Sequence, residues 1–223
     1  MPATTPPIRP ANPAVPGELS DVADLAAWIE DADGDVQVSH VRIAGDAAAG
    51  ADFELLELSG SRVDGCSYVG CRFDRAAFAD VSFANCDFSN SSFAEANFTR
   101  CTFASCKFTG ADLAEAVLAR IEARDSTFAY ASFSKARLVD FHATATDFSH
   151  ADMAEARQKR CAFDDVRFTG TSFFRMSLDG IDFSTCQLGD IVLSDAMGEL
   201  RGCEMDLFQA AGIARRLGVN VKD

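Results

Sequence analysis

Of the nineteen phenylalanines in this chain, sixteen between residues 53 and 183 leave the same remainder on division by five. They run from Phe53 through Phe73, Phe78, Phe83 and Phe88 to Phe183, and leucines such as Leu58, Leu113, Leu118, Leu138 and Leu178 fill further places in the same phase. This position, i, recurs 32 times from Val38 to Leu193 without a slip, and Gln158 is its one polar member. Two residues earlier, at i−2, stand small or apolar residues: nine Ala, seven Cys, three Ser, two Thr and eight larger apolar residues between Ala51 and Ile191. All 36 charges between residues 51 and 195 avoid both positions and fall at i−1, i+1 and i+2.

A helix repeats every 3.6 residues and a strand every two, so neither yields a period of five. A solenoid does, because each repeat forms one side of a coil and buries its apolar residues against the coils above and below. The large i residue and the small i−2 residue point inward, and the other three face solvent. Four repeats close a square coil, so residues 20 apart stack. With a backbone spacing of about 4.8 Å, eight coils give a rod of roughly 38 Å. Phe53, Phe73 and Phe93 then form part of an internal ladder.

The two ends read differently. Residues 1–17 are rich in Pro, Thr and Ala and are expected to be a disordered tail. Residues 18–35 are expected to hold a short acidic helix, Leu19 to Glu30, started by Ser20 and followed by a turn at Asp31–Asp35; it is a candidate cap for the first coil. The solenoid spans 36–195, beginning in the alternating segment Val36–Ile43. Residues 196–223 form the C-terminal cap. There, Met205 to Val219 reads as a helix with Asp206 and Gln209 as a capping box, Arg215 and Arg216 in the last turn and Gly218 as a stop. Leu207, Ala211, Ala214 and Leu217 make an apolar stripe for the last coil, and Phe208, Ile213 and Val219 are spare apolar surface for a second copy.

The runs Ala111-Asp112-Leu113-Ala114-Glu115, Ala151-Asp152-Met153-Ala154-Glu155 and Ala96-Asn97-Phe98-Thr99-Arg100 resemble the pentapeptide-repeat consensus A(D/N)LXX. The resemblance covers about two thirds of the chain. It implies an all-β fold, a right-handed quadrilateral β-helix of about eight coils with a C-terminal α-helix. Leu200-Arg201-Gly202, Asp206, Gln209-Ala210 and Leu217-Gly218-Val219 are similar to the C-terminal end of the Qnr-type and MfpA-type members. That resemblance implies a cytoplasmic homodimer joined through Leu207, Phe208, Ala211, Ile213, Leu217 and Val219. It further implies a DNA mimic that binds DNA gyrase or topoisomerase IV and protects it from fluoroquinolones. Some Qnr proteins carry loops that tune protection. Here the phase is unbroken, so only a five-residue bulge at Ala123, Ala143 or Gln158 could be hidden, and strong drug protection is not expected.

Charge supports a basic partner. With 34 acidic against 20 Lys and Arg, the net charge is −14, which disfavours direct binding of nucleic acid or anionic lipid. No apolar run is long enough for a membrane span, and the N-terminal segment lacks a signal-peptide pattern. Sorted by face, the acids concentrate on the side bearing Phe53: Asp52, Glu54, Asp74, Glu95, Asp112, Glu115, Asp152, Glu155 and Asp195, against four bases. The side bearing Leu58 is richest in bases, with Arg157, Lys159 and Arg160 clustered. Keeping an apolar rod soluble is the simpler use of such acids.

Catalytic chemistry is not expected. Cys66, Cys71, Cys86, Cys101, Cys106, Cys161 and Cys186 are all i−2 residues, small hydrophobes without zinc spacing; Cys203 lies outside the ladder. His40, His142 and His150 show no ligand or triad spacing, and no phosphate-binding glycine loop occurs. The chain is therefore read as a non-enzyme without metal or cofactor. A self-immunity protein against a gyrase toxin, and a scaffold for another basic protein, remain as alternatives.

Overall fold

The computed structural model describes residues 12–31 and 37–222 of the chain. It is a parallel β-solenoid of about eight turns closed by a short C-terminal helix. From Gln37 to Val192 the ladders keep the 20-residue offset that the phenylalanines dictate: Phe78 pairs with Phe98, Phe98 with Leu118, and Leu118 with Leu138. The i residues are buried except Ala48, Gln158, Leu188 and Leu193, which are half-buried, and the rings stack along the axis, with centroids 4.9 Å apart for Phe53–Phe73 and Phe73–Phe93 and 4.8 Å for Phe108–Phe128. Rings on adjacent sides of a coil meet edge to face, as Phe83 and Phe88 do at 5.6 Å. Both arrangements suit aromatic quadrupoles.

The four sides are not equivalent. On the Phe53 and Tyr68 sides, the N–H of the residue after the corner donates back to the i carbonyl, as Ala96 does to Phe93 (3.0 Å) and Ala131 to Phe128 (3.0 Å). These are β-turns with a left-handed residue at the third position. On the Leu58 and Val63 sides the chain is extended as far as residue 164, and in mid-rod it joins two sides into eight-residue strands, Asn97–Ala104, Val117–Arg124 and Arg137–Thr144; in the next coil Ile181 and Cys186 instead close turns on the Leu178 (3.1 Å) and Phe183 (2.8 Å) carbonyls. The i+2 corners have φ near +55° whatever the residue: Arg75 58°, Arg100 55°, Tyr130 60°, Ala145 49°. Eight of these corners are glycines that fall on multiples of five, from Gly45 to Gly180, a signal that the Phe ladder overshadowed.

The N-terminal end departs from expectation. Residues 19–30 are not one helix. Strand β1 (Ser20–Val22) pairs with β3 (Val41–Ala44), and helix α1 (Leu25–Asp31) follows. Asp24, rather than Ser20, caps that helix through the N–H of Ala27 at 2.9 Å. A strand wins here because the first coil presents an unpaired edge whose N–H and C=O groups need partners. Leu25 is buried over that end. Strand β2 (Gln37–Ser39) and β3 begin the solenoid, with His40 as their corner. The expected turn beyond Asp31, and the tail at residues 1–11, lie outside the described residues. Residues 12–17 are not free of the rod: the Ala14 N–H donates to Asp80 at 3.0 Å.

No bulge breaks the register at Ala123 or Ala143. At Gln158 the pairing to the preceding coil holds, but the ladder to the next coil does not. Gln158 Nε2 instead donates to the carbonyls of Asp179 (2.9 Å) and Ser177 (3.3 Å). The coils part there: Phe163 and Phe183 stack at 6.3 Å. Beyond Val192 the offset grows to 22, as the Asp182–Glu204 bridge shows, because the turn at Gly198–Leu200 adds two residues.

Candidate partner-binding surface

The Phe53 side carries all nine predicted acids, but they are not equally free. Asp52 and Glu54 are paired: Arg72 bonds both, reaching Glu54 at 2.6 Å, and Arg75 bonds Glu54. Arg72 holds the Asp52 carboxyl below its usual range, and Arg75 does the same for Glu54. Glu155 meets Arg175 at 3.4 Å. Asp74 accepts from the Ser92 hydroxyl and from the Ala94 N–H (3.3 Å). Asp112 and Asp152 accept only local N–H groups, from Ala114 (2.9 Å) and Ala154 (3.0 Å), and stay exposed. Glu95, Asp112, Glu115, Asp152 and Asp195 make no ion pair among the described residues. Apart from Asp195 at the C-terminal end, the unpaired negative charge thus sits on the middle coils, with Asp112 and Asp152 two rungs apart through Ser132. Sequence counting could place these acids on one side but could not say which would be neutralised. That depends on which long arginine side chain reaches a neighbouring rung.

On the Leu58 side, Arg100 chelates Asp80 and Arg160 chelates Asp140, holding both carboxyls below their usual range. Arg120, Arg137, Arg157 and Lys159 make no ion pair among the described residues. An open dent of about 570 Å³ beside them is lined by Glu155, Ala156, Arg157, Gln158, Arg175 and Ser177, where the coils part.

The seven i−2 cysteines are free and buried. Burial pushes Cys101 and Cys161 up to about 12, so they are not thiolates at neutral pH. Cys203 is half-buried and donates to the Leu200 carbonyl.

Helix α2 (Leu207–Arg216) starts at Asp206 with the expected capping box: Gln209 N–H to Asp206 at 2.8 Å, and Asp206 N–H to the Gln209 side chain at 2.9 Å. Its seat on the last coil differs from the expected stripe. Gln209 Nε2 donates to the carbonyls of Phe183 (2.8 Å) and Cys186 (2.7 Å), Arg216 donates to the Ile191 carbonyl, and Ile213 packs on the core. Ile213 therefore faces the lid side rather than being spare surface. Leu207 and Leu217, expected on the lid side, point outward. The cause is the open end of the coil: its unpaired carbonyls attract the donors of Gln209 and Arg216, and these set the helix rotation. Leu207 (79 % exposed), Phe208 (84 %), Leu217 and Val219 form the outward apolar group, while Ala211 is half-buried.

Among the described residues no helix is long and apolar enough to cross a membrane. No curated protein matches the chain in sequence. Residues 76–144 match the pentapeptide repeat region model. Among solved structures, two trypsin-treated variants of QnrB1, described as a plasmid-mediated fluoroquinolone resistance protein, are similar in fold. One has a TM-score of 0.58 at 22 % identity, covering 92 % of this chain and 98 % of that one. The other has 0.55 at 21 % identity, covering 92 % and 100 %. Taken with the unbroken five-residue ladder, these matches place a pentapeptide repeat region at residues 76–144 and give the solenoid as a whole the fold seen in QnrB1.

Proposed function

We propose that this rod is a non-catalytic DNA mimic that occupies the DNA-binding saddle of a type II topoisomerase, DNA gyrase or topoisomerase IV, in the cytoplasm. The observation that carries the reading is the run of unpaired carboxylates, Glu95, Asp112, Glu115 and Asp152, along one straight side. Rungs spaced about 4.8 Å apart give a sparser charge than the one per about 1.7 Å of B-DNA, so the mimicry is of shape and sign rather than full charge density. The outward group Leu207, Phe208, Leu217 and Val219 supports a homodimer through the C-terminal end, which would double the length of the acidic side. The fold likeness to QnrB1 supports a part in fluoroquinolone protection. The described rod has no projecting loop between residues 37 and 192, which points to competition with DNA ahead of strong drug protection.

A supercoiling assay with purified gyrase tests this. Inhibition at micromolar rod, lost on reversing Asp112, Glu115, Asp152 and Glu155 to lysine with the fold intact, is the expected result. No inhibition, together with no relief of quinolone poisoning, would sink it.

A further inference from the structure

Tyr130 is 64 % exposed, more than any other aromatic ring of the solenoid. It occupies the corner where the Tyr68 side turns into the acidic Phe53 side. The other residues of that corner column are Gly50, Gly70, Asn90, Gly110, His150, Gly170 and Asp190, and all have positive φ. Glycine and asparagine are at ease there, whereas a bulky tyrosine is not. A large ring placed at a strained, solvent-facing position contributes little to folding and points to a use outside the fold.

Its surroundings present the ring. Tyr130 stacks on His150 with centroids 4.8 Å apart and planes 16° apart. His150 in turn lies across Gly170, where a Cβ would come within 2.5 Å of its ring. On the other side stands Gly110, which has no side chain of its own; the Asn90 side chain lies over it, its Oδ1 2.6 Å from where a Cβ would be, and adds a neutral acceptor beside the ring. Two residues along the chain from Gly110 and His150 are Asp112 and Asp152, the unpaired acids that bracket this rung at a separation of about 10 Å by strand spacing. An electron-rich ring between two carboxylates suits a planar cation. A guanidinium can lie on the ring and still bond a carboxylate, whereas an ammonium is a compact, strongly hydrated point charge. The same face already shows this contact internally, with the Arg175 guanidinium 4.9 Å above the Phe174 ring.

We propose that Tyr130, supported by His150 and flanked by Asp112 and Asp152, is the anchor at which an arginine-bearing protein surface docks on the rod. This deepens the topoisomerase reading by naming the contact that would make the acidic side selective, and it rests on that reading only for the identity of the partner. Tyrosine is enriched among the few residues that dominate binding energy.

The test uses the full chain and two labelled probes, nona-arginine and nona-lysine, followed by fluorescence anisotropy at fixed salt. The native rod should favour the arginine peptide by roughly 2- to 5-fold, the size of an exposed cation–π contact. Tyr130→Asn, whose new residue tolerates the corner, should keep the melting temperature, abolish the preference and leave nona-lysine binding unchanged. Asp112→Asn with Asp152→Asn should weaken both peptides. Equal binding of the two peptides to the native rod, or a preference that survives Tyr130→Asn, overturns the proposal. Gyrase inhibition is read separately: its absence sinks the topoisomerase reading and leaves the arginine preference to be judged on the peptides.

Discussion

The phenol of Tyr68 donates to the carboxylate of Asp46 at 2.6 Å, and both residues are buried. Asp46 stands at an i−2 position, where every later coil has a small or apolar residue, and its carboxylate also accepts the N–H of Leu25 at 3.1 Å. It ties the first coil to the helix that covers it, turning an exposed end into a closed one. Burial, with Asp46 as its partner, raises the Tyr68 pKa, so the phenol stays protonated as a donor. Tyr68→Phe should therefore leave a buried carboxylate short of a donor and cost about 1–3 kcal/mol in urea denaturation. Asp46→Ala should also release α1, seen as faster amide exchange at Leu25 and Ala26.

The corners give a prediction of opposite sign to the usual rule. Ala145 sits at φ 49° and makes no side-chain hydrogen bond. A left-handed non-glycine residue costs roughly 1–2 kcal/mol, partly offset by the greater freedom of glycine in the unfolded chain. Ala145→Gly should stabilise the rod by about 0.5–1 kcal/mol in thermal denaturation. Gly60→Ala should destabilise it: φ is 54°, and the added Cβ would lie 2.7 Å from the His40 ring.

Thiol chemistry separates interior from cap. In native protein at pH 8, a maleimide should label Cys203 slowly and the seven ladder cysteines hardly at all, because all seven are buried out of the reagent's reach, and at Cys101 and Cys161 burial also pushes the thiol up to about 12. Mass spectrometry after unfolding should show all eight labelled. Rapid native labelling at Cys101 or Cys161 would contradict the closed interior.

At the other end, Glu199 is buried in the added turn. Burial alone would raise its carboxyl, but the N–H groups of Arg175 (2.9 Å) and Ser194 (3.0 Å) and the Ser194 hydroxyl (2.9 Å) outweigh it and hold the carboxyl below its usual range. A depressed carboxyl contributes stability that is present above its unfolded pKa, about 4.3, and lost as pH falls through the folded value. Asp80 and Asp140 act in the same direction. Melting temperature should be flat from pH 7 to about 5 and fall below about 4. Glu199→Gln should make that fall shallower and lower the plateau.

The interior of this rod was legible from the chain because burial imposes a strict pattern: Phe at i and Cys or Ala at i−2 have nowhere else to go. The capping box at Asp206 and Gln209 was legible for a similar reason, since both groups act within one turn. What escaped depends on long side chains and free ends. Whether Arg72 neutralises Glu54, or Gln209 rather than Leu207 faces the last coil, is decided by reach and by unpaired carbonyls that no periodicity records. Strand β1 was hidden for another reason: three residues carry too little pattern to outweigh the helical character of the segment that follows. The difference between turned and extended sides was invisible because all four share one consensus.

The fixed 20-residue offset also governs how such a chain can change length over generations. Duplicating or losing four consecutive repeats adds or removes one layer and keeps Asp112 and Asp152 in line. Losing a single five-residue repeat between them would preserve the apolar interior yet turn everything downstream by a quarter revolution. Asp152 would then face away from Asp112, and Tyr130 would no longer stand between two acids. Lineages of this protein should therefore vary in steps of whole layers, because a quarter-turn deletion would stack turned sides on extended ones and would be visible to any partner that reads one side.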